Sequence, residues 1–186
     1  MMSFSGRLIT QDRGLLTLED TALALSRIQR FGGHARIYPW TVLQHSLLVR
    51  DILWGNPELT LLKALLHDSH EAITGDIPRP LKTVDMKELQ QNYDSRLWKM
   101  LGGEKYTPDL SDKMVHWADD ISCMAEGYLC GPPGLMYEDW CRPSRWSPVC
   151  TPEAVERLMG PPDFLMAEYI SGVNALLSEL KMGPWE

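Results

Sequence analysis

The chain has 186 residues, of which 44% are hydrophobic, and its formal net charge at pH 7 is −7. This length fits one domain with enough apolar material for a core. The negative charge argues against long nucleic acid as a main partner, because an acidic surface repels a polyanion. A small anionic substrate remains compatible with this charge, since a bound cation reverses the local field.

The sequence has no CxxC pair, no secretory signal at its start and no run of 18 apolar residues. We therefore expect reduced thiols in place of a structural zinc site, and no membrane as a partner. The expected location is the cytoplasm, or the host cytoplasm if a phage encodes the chain. The four cysteines are Cys123, Cys130, Cys141 and Cys150.

Apolar residues at helical spacing predict an all-α protein. The first helix follows Thr17, which is typical of an N-cap, and continues past Ile28 until two glycines stop it. The third helix is expected to run without a break from Pro57 to about Ile73, with Gly75 as its C-terminal cap. The other helices are predicted at about residues 40–54, 84–101, 110–129, 152–159 and 162–180.

Ionisable residues occur at unusual places in these helices. His67 and Asp68 directly follow an apolar run, His45 lies within an apolar helix, and Asp119 lies in an amphipathic one. Burying such groups is costly unless they are paired or bind a metal. The alternative is that His67 and Asp68 are ordinary polar residues at a helix end. Glu71, four residues after His67, is expected on the same helix face.

This pattern resembles the HD-domain metal-dependent phosphohydrolases, a family of single-domain helical bundles. The resemblance implies a site for a divalent metal ion. It also implies a catalytic role for Asp68, one of the metal ligands. Two imidazoles and two carboxylates suit Co, Mn, Zn, Fe or Ni, and a second metal such as Mg would accompany substrate phosphates. Asp119 is preferred to Asp120 because Glu126 follows it by seven residues, as in the family. The implied ligands are His45, His67, Asp68 and Asp119.

A finer resemblance covers about residues 4–126 and is to the nucleotidase branch of that family. This branch includes YfbR-type deoxyribonucleoside 5′-monophosphatases and phage dATP triphosphohydrolases of the DatZ type. The most specific string is Gly-Asp-Ile-Pro-Arg-Pro-Leu-Lys at residues 75–82. By this resemblance, residues 1–186 form one HD phosphohydrolase domain. The prolines and glycines of residues 131–151 predict a long loop. The end of this loop and the C-terminal helices in residues 152–186 lie outside the match, and they would close the pocket or form a subunit contact.

The resemblance also implies roles in binding substrate. Arg30 would hold a phosphate and Phe31 would pack on the nucleoside, although Arg30 also suits the C-terminal end of a helix. Asp76 would bind the sugar hydroxyls or, alternatively, form a turn. Lys82 would meet a phosphate tail or remain solvated. His34 would contact phosphate or the leaving group, or lie in the loop without a role.

Glu71 resembles the general acid/base of the family, and a surface glutamate is the alternative. His70, one residue earlier, is interpreted as a surface residue in preference to a support for the metal ligands. Five cations close to the motifs exceed the need of a monophosphate and favour a triphosphate. They are Arg27, Arg30, Arg36, Arg79 and Lys82.

We therefore expect a dATP-preferring deoxynucleoside triphosphohydrolase that releases deoxynucleoside and triphosphate. The partner would be a small-molecule deoxynucleotide, and the chain would form a homo-oligomer. A 5′-deoxyribonucleoside monophosphatase is the first alternative. Another HD hydrolase, acting on an alarmone or a cyclic dinucleotide, and a non-catalytic module stabilised by a metal are the others.

Overall fold

The computed structural model describes residues 1–10, 14–36, 39–105, 110–143 and 150–186. Within these ranges the chain is helical and has no strand, so the all-α prediction is confirmed. The only pairings of β type among the described residues are two isolated bridges. The helices are α1 (Leu18–Leu25), α2 (Val42–Ile52), α3 (Glu58–Leu66), α4 (Glu71–Thr74), α5 (Val84–Met100), α6 (Leu110–Leu129), α7 (Pro152–Arg157) and α8 (Pro162–Glu179).

Helix α2 lies at the centre of the bundle, where it packs against α3, α6 and α8. Ten of its eleven residues are buried. A capping box begins it, because the Thr41 side chain accepts from the Gln44 backbone while the Gln44 amide oxygen accepts from the Thr41 N–H at 2.7 Å. The Gln44 amide also donates to the Leu158 carbonyl at 2.7 Å, so this cap ties α2 to the end of α7.

The first predicted helix is shorter than expected and ends at Leu25. The Ser26 hydroxyl donates to the Leu23 carbonyl at 2.8 Å, which satisfies a carbonyl at the helix end. The chain after it pairs with the approach to α2, since the Arg30 N–H donates to the Trp40 carbonyl at 2.7 Å. Backbone pairing between these two segments thus takes the place of the last predicted helical turn.

The third predicted helix is interrupted, and the prediction of a continuous helix was wrong. It ends at Leu66 and resumes as α4 at Glu71. The His67 Nδ1 atom lies 2.8 Å from the Ala64 carbonyl, an acceptor that a continuous helix would use for its own backbone. The turn tightens through bonds of the i to i−3 type, such as Glu71 N–H to Asp68 carbonyl at 3.0 Å. Gly75, with φ of 77°, ends α4 as predicted.

The later helices match their predictions closely, and α6 covers the predicted residues 110–129. The long segment after it contains two short 3₁₀ turns, Leu135–Tyr137 and Asp139–Cys141, which pack on α6. Residues 144–149 of this predicted loop lie outside the described residues. Helix α8 packs against α1, α2 and α3 and so contributes to the same core. Among the described residues, none of the helices has the length and apolarity to cross a membrane.

The buried cap of α2 leads to a prediction about stability. Thr41→Ala should lower the free energy of unfolding by about 1–2 kcal/mol, because it leaves the buried Gln44 N–H without its acceptor. Thr83→Ala, which removes the exposed cap of α5, is the matched control and should cost less. Chemical denaturation of both variants measures the difference. Equal losses would contradict a special role for the α2 cap.

Candidate metal centre

Two imidazoles face each other at the middle of the bundle. His45 comes from the buried helix α2 and His67 from the turn after α3, and their Nε2 atoms are 3.1 Å apart. The other nitrogens have partners: His45 Nδ1 lies 2.7 Å from a Glu126 carboxylate oxygen, and His67 Nδ1 lies 2.8 Å from the Ala64 carbonyl. Both partners are acceptors, so each neutral ring carries its proton on Nδ1 and directs an Nε2 lone pair at the other.

Two carboxylates complete the cluster. The Asp119 Oδ1 atom lies 3.2 Å from His45 Nε2, and the Asp68 Oδ2 atom lies 3.5 Å from His45 Nε2 and 3.3 Å from His67 Nε2. Ligand atoms about 2.1 Å from one ion are about 3.0 Å apart at octahedral and about 3.4 Å apart at tetrahedral angles. The ligand atoms of His45, His67 and Asp68 all lie within 4.8 Å of one another, so these three residues can hold one divalent cation, and Asp119 adjoins them through its contact with His45.

The electrostatics of the cluster also favour a positive charge. Burial and Arg30 oppose protonation of His45, but Glu126 and Asp119 outweigh them and raise its pKa to about 10. Burial opposes ionisation of Asp68, yet the neighbouring His67 holds the pKa of that carboxyl well below its usual range. The cluster therefore attracts either a proton or a metal ion, and the two compete for the same nitrogen.

Glu126 has a role that the sequence interpretation missed. Its side chain is fully buried and joins His45 Nδ1 to Arg30 Nε, which donates to it at 2.9 Å. A carboxylate on the far nitrogen of a ligating histidine fixes the ring orientation and its tautomer. The available signal was the seven-residue spacing from Asp119, which puts both acids on one face of α6.

The structure brings Asp119, and not its neighbour Asp120, against His45, because Asp120 is exposed on α6. Cys123, one turn later, donates from its thiol to Asp119 Oδ1 at 3.4 Å. One ligand atom from each of His45, Asp119 and Cys123 falls within 4.8 Å of the others. Burial, the first cause, raises the pKa of the Cys123 thiol well above its usual range, so a neutral thiol is the form the site favours.

Glu71 lies beside this centre on α4, although not for the predicted reason, since the break after Leu66 separates it from the helix of His67. Its side chain is 3% exposed, and its Oε1 atom lies 3.5 Å from Lys82 Nζ. Burial, followed by the charges of Asp68 and Asp76, raises the pKa of Glu71 to about 8. A carboxyl with this pKa can accept or release a proton near neutral pH.

His70 is buried, so its interpretation as a surface residue was wrong. Only 8% of the residue is exposed, and its Nδ1 atom lies 2.9 Å from Asp94 Oδ2 on α5. Asp76, which is half-buried after α4, has a raised pKa, for which burial is the first cause.

The loop with Arg30 and Phe31 lies on the other side of the centre. Arg30 is largely buried, and its NH1 atom lies 3.8 Å from Asp68 Oδ2, while its NH2 donates to Cys123 Sγ at 3.1 Å. Phe31 has a left-handed backbone with φ of 58°, which is uncommon for a residue with a side chain. It packs partly buried against the core, whereas His34 at the end of this loop is exposed.

Fewer of the five cationic side chains are available to bind phosphate than the sequence implied. Arg36 donates to the Tyr128 and Leu129 carbonyls at 2.7 and 2.9 Å, so it caps the end of α6. Arg30 is paired with Glu126, and Lys82 lies next to Glu71. Arg27 is exposed. The side chain of Arg79 lies outside the described part.

A cavity of about 390 Å³ borders the centre at His67. Its lining is mostly apolar and includes Trp98, together with polar residues from α3, α5 and α6. This volume falls within the range of small-molecule sites. The lining residues are Lys63, Leu66, His67, Ser69, Asp94, Ser95, Leu97, Trp98, Asp112, Val115 and His116.

Comparison with known proteins gives three relatives, and no family model matches the chain. The uncharacterized protein YfdR of Escherichia coli (strain K12) is 31% identical over 129 residues, which cover 67% of this chain and 68% of that protein. An uncharacterized protein of Rhodobacter capsulatus is 30% identical over 60% of this chain and 61% of its own length. The dATP triphosphohydrolase of cyanophage S-2L is 36% identical over 40% of this chain and 49% of its own length.

The competition between proton and metal leads to a prediction. Because metal-free His45 holds a proton below about pH 10, binding of Mn²⁺ should release it, and affinity should rise by up to about tenfold per pH unit between about pH 6 and pH 8. Isothermal titration calorimetry in buffers of different ionisation enthalpy measures both effects. An affinity for Mn²⁺ that does not change with pH over this range would contradict the interpretation of His45 as a metal ligand.

The position of Glu126 leads to a second prediction. Glu126→Gln should weaken metal binding by about 10- to 100-fold, because the charge that orients His45 is lost. Asp120→Asn, which removes an exposed acid six residues earlier on the same helix, should leave the affinity unchanged. Circular dichroism separates weaker binding from loss of fold, since Arg30 also loses its buried partner. Equal affinities in both variants would exclude this role for Glu126.

Proposed function

The chain belongs to the family of the Escherichia coli protein YfdR, and we propose that it is a metal-dependent phosphohydrolase of the HD type that acts on deoxynucleotides. The convergence of three acceptor atoms, from His45, His67 and Asp68, with the Asp119 carboxylate against His45, carries this proposal. The partial similarity to a phage dATP triphosphohydrolase supports a hydrolase. The proposed ligands are His45, His67, Asp68 and Asp119.

Different side chains of the protein would contribute to different steps of hydrolysis. A divalent ion in the centre would supply Lewis-acid activation of water and neutralise phosphate charge. Glu71 would accept the proton of the attacking water and pass it to the 5′ oxygen as the bond between phosphorus and that oxygen breaks, so that the deoxynucleoside leaves as an alcohol. The raised pKa of Glu71, about 8, supports this role. Lys82, 3.5 Å from its Oε1 atom, would hold the carboxylate in place.

The substrate that we propose is a deoxynucleoside triphosphate, with dATP preferred. Water would attack the α-phosphorus, and deoxynucleoside and triphosphate would leave. Arg30 and Lys82 would face the phosphates, Asp76 the sugar and Phe31 the nucleoside, with His34 near the leaving group. The cavity at His67 gives further room for the organic part of a substrate. The similarity to the phage enzyme supports the choice of dATP.

A 5′-deoxyribonucleoside monophosphatase is the second candidate, and one observation favours it. Arg30 and Arg36 already bind protein groups, which leaves fewer cations for a triphosphate tail. A monophosphate needs only the centre itself and one neighbouring cation. Both candidates share the same metal ligands and Glu71.

One experiment tests the proposal and separates the candidates. The purified chain is incubated with Mn²⁺ or Co²⁺ and a panel of dNTPs, dNMPs, NTPs and a guanosine tetraphosphate, and the products are identified. Triphosphate and deoxyadenosine from dATP support the first candidate, whereas phosphate from dNMPs alone supports the second. Metal binding without turnover of any nucleotide would exclude both.

Two variants separate metal binding from proton transfer. Asp68→Ala should lose metal and activity together, because it removes a ligand. Glu71→Gln should keep the metal and lose about 10²–10⁴-fold in kcat, since an amide cannot accept the proton. Metal content by mass spectrometry and steady-state kinetics measure the two effects. Full activity of Glu71→Gln would remove Glu71 from the mechanism.

A further inference from the structure

The candidate metal centre contains another group of three potential ligands, on the side of α6. One ligand atom from each of His45, Asp119 and Cys123 lies within 4.8 Å of the other two. Within the described part of the chain, Asp119 belongs to this group and not to the group that contains His67 and Asp68. His45 is therefore common to two groups, and one of them includes a thiol.

We propose that His45, Asp119 and Cys123 form an alternative position for a thiophilic divalent ion such as Zn²⁺. An ion would bind either here or beside His67 and Asp68, because both positions need the one lone pair on His45 Nε2. The proposal rests on the metal centre of the proposed function. It concerns which metal occupies which part of that centre.

The distances within the group match those around a tetrahedral zinc ion. Zn²⁺ binds thiolate sulfur at about 2.3 Å and carboxylate oxygen at about 2.0 Å, so these two ligand atoms are about 3.5 Å apart at a tetrahedral angle. The Cys123 Sγ atom lies 3.4 Å from Asp119 Oδ1, and the same oxygen lies 3.2 Å from His45 Nε2. Three protein ligands leave the fourth position to water.

Helix α6 brings the thiol to this place. Asp119 and Cys123 are four residues apart on α6, so they lie on the same face of the helix. This helix packs against α2, which carries His45. The Nδ1 atom of His45 faces Glu126 at 2.7 Å, which leaves Nε2 for the ion. Two ligands at positions i and i+4 of one helix are a spacing that zinc sites use.

The charges around the group suit a bound zinc ion. When the ion binds, the Cys123 thiol gives its proton to solvent and becomes a thiolate ligand. A divalent ion with one thiolate and one carboxylate has no net charge, which limits the free-energy cost of burying it. Arg30 NH2 donates to Cys123 Sγ at 3.1 Å and would continue to donate to the thiolate.

Cys123 would make the centre distinguish between metals. Thiolate ligands favour Zn²⁺, whereas carboxylates suit Mn²⁺. The position beside His67 and Asp68 offers no sulfur ligand, so it would hold Mn²⁺, and Zn²⁺ would move to the position at Cys123. The metal that is supplied would thus decide which ligands are used.

X-ray absorption spectroscopy tests the proposal, because it identifies the atoms bound to zinc without measuring turnover. The metal-free wild-type chain is loaded with one equivalent of Zn²⁺. We expect one sulfur neighbour at about 2.3 Å together with nitrogen and oxygen neighbours at about 2.0–2.1 Å. A zinc spectrum with nitrogen and oxygen neighbours alone would overturn the proposal.

Three variants assign the sulfur and separate the two positions. Cys123→Ser should lose the sulfur neighbour of zinc and keep its affinity for Mn²⁺. Cys130→Ser is the matched control and should keep the sulfur neighbour, since Cys130 is a buried free cysteine that belongs to neither group among the described residues. His67→Gln should lose its affinity for Mn²⁺ and still bind zinc through one sulfur.

Two results with these variants would contradict the proposal. One is a sulfur neighbour of zinc that persists in Cys123→Ser. The other is loss of both metals in His67→Gln while circular dichroism shows an intact fold. If His67→Gln does not fold, the wild-type and Cys123→Ser spectra still decide the question.

Electron paramagnetic resonance tests whether the two positions exclude each other. Zn²⁺ added to the Mn²⁺-loaded wild-type chain should release one Mn²⁺ for each zinc bound, seen as growth of the signal of free Mn²⁺. Retention of Mn²⁺ beside zinc bound to sulfur would show that the two positions do not share His45, and it would overturn the proposal.

The outcome is separable from that of the proposed function. Zinc bound to nitrogen and oxygen alone, together with hydrolysis of deoxynucleotides, would exclude the position at Cys123 and leave the enzyme proposal intact. Zinc bound to the Cys123 sulfur without turnover of any nucleotide, with any metal, would support the position at Cys123 and exclude the enzyme proposal.

Discussion

The buried carboxylate of Glu126 is the constraint on which the candidate centre depends. It accepts from Arg30 on one side and lies against His45 on the other, and all three side chains are largely or fully shielded from water. An uncompensated charge at such a depth would cost several kcal/mol. The chain therefore cannot bury Glu126 without also fixing the histidine and the arginine. One ion pair thus sets the orientation of His45, a candidate metal ligand on α2, and the course of the loop that follows α1.

The position of α2 explains why the bundle tolerates this charge. The helix is enclosed by α3, α6 and α8, so a polar residue on it meets other side chains before it meets water. His45 is fully buried there and contacts groups from two other segments, α6 and the turn after α3. Packing in the core therefore holds the side chains of the candidate site in place. This reduces the free-energy cost of ordering them when a cation binds.

The sequence predicted the fold class and most helices because apolar periodicity and caps are local signals. It also singled out His45, His67, Asp68 and Asp119, which the fold brings together. The break after Leu66 was not predictable in this way, because the competing contact is a side chain bonded to its own helix. The pairing of His70 with Asp94 spans 24 residues and depends on how α5 packs, which no spacing rule contains. The capping of α6 by Arg36 was missed for the same reason.

The interruption between α3 and α4 has an electrostatic consequence beyond the geometry of the turn. The peptide dipoles of a helix add up to a partial negative charge at its C-terminal end. Because α3 ends at Leu66, this end lies at His67 and Asp68 and not two turns farther along the chain. The backbone itself therefore contributes to the attraction for a cation, by an amount on the order of 0.3–1 kcal/mol. A continuous helix with the same side chains would have carried that negative pole away from the metal centre.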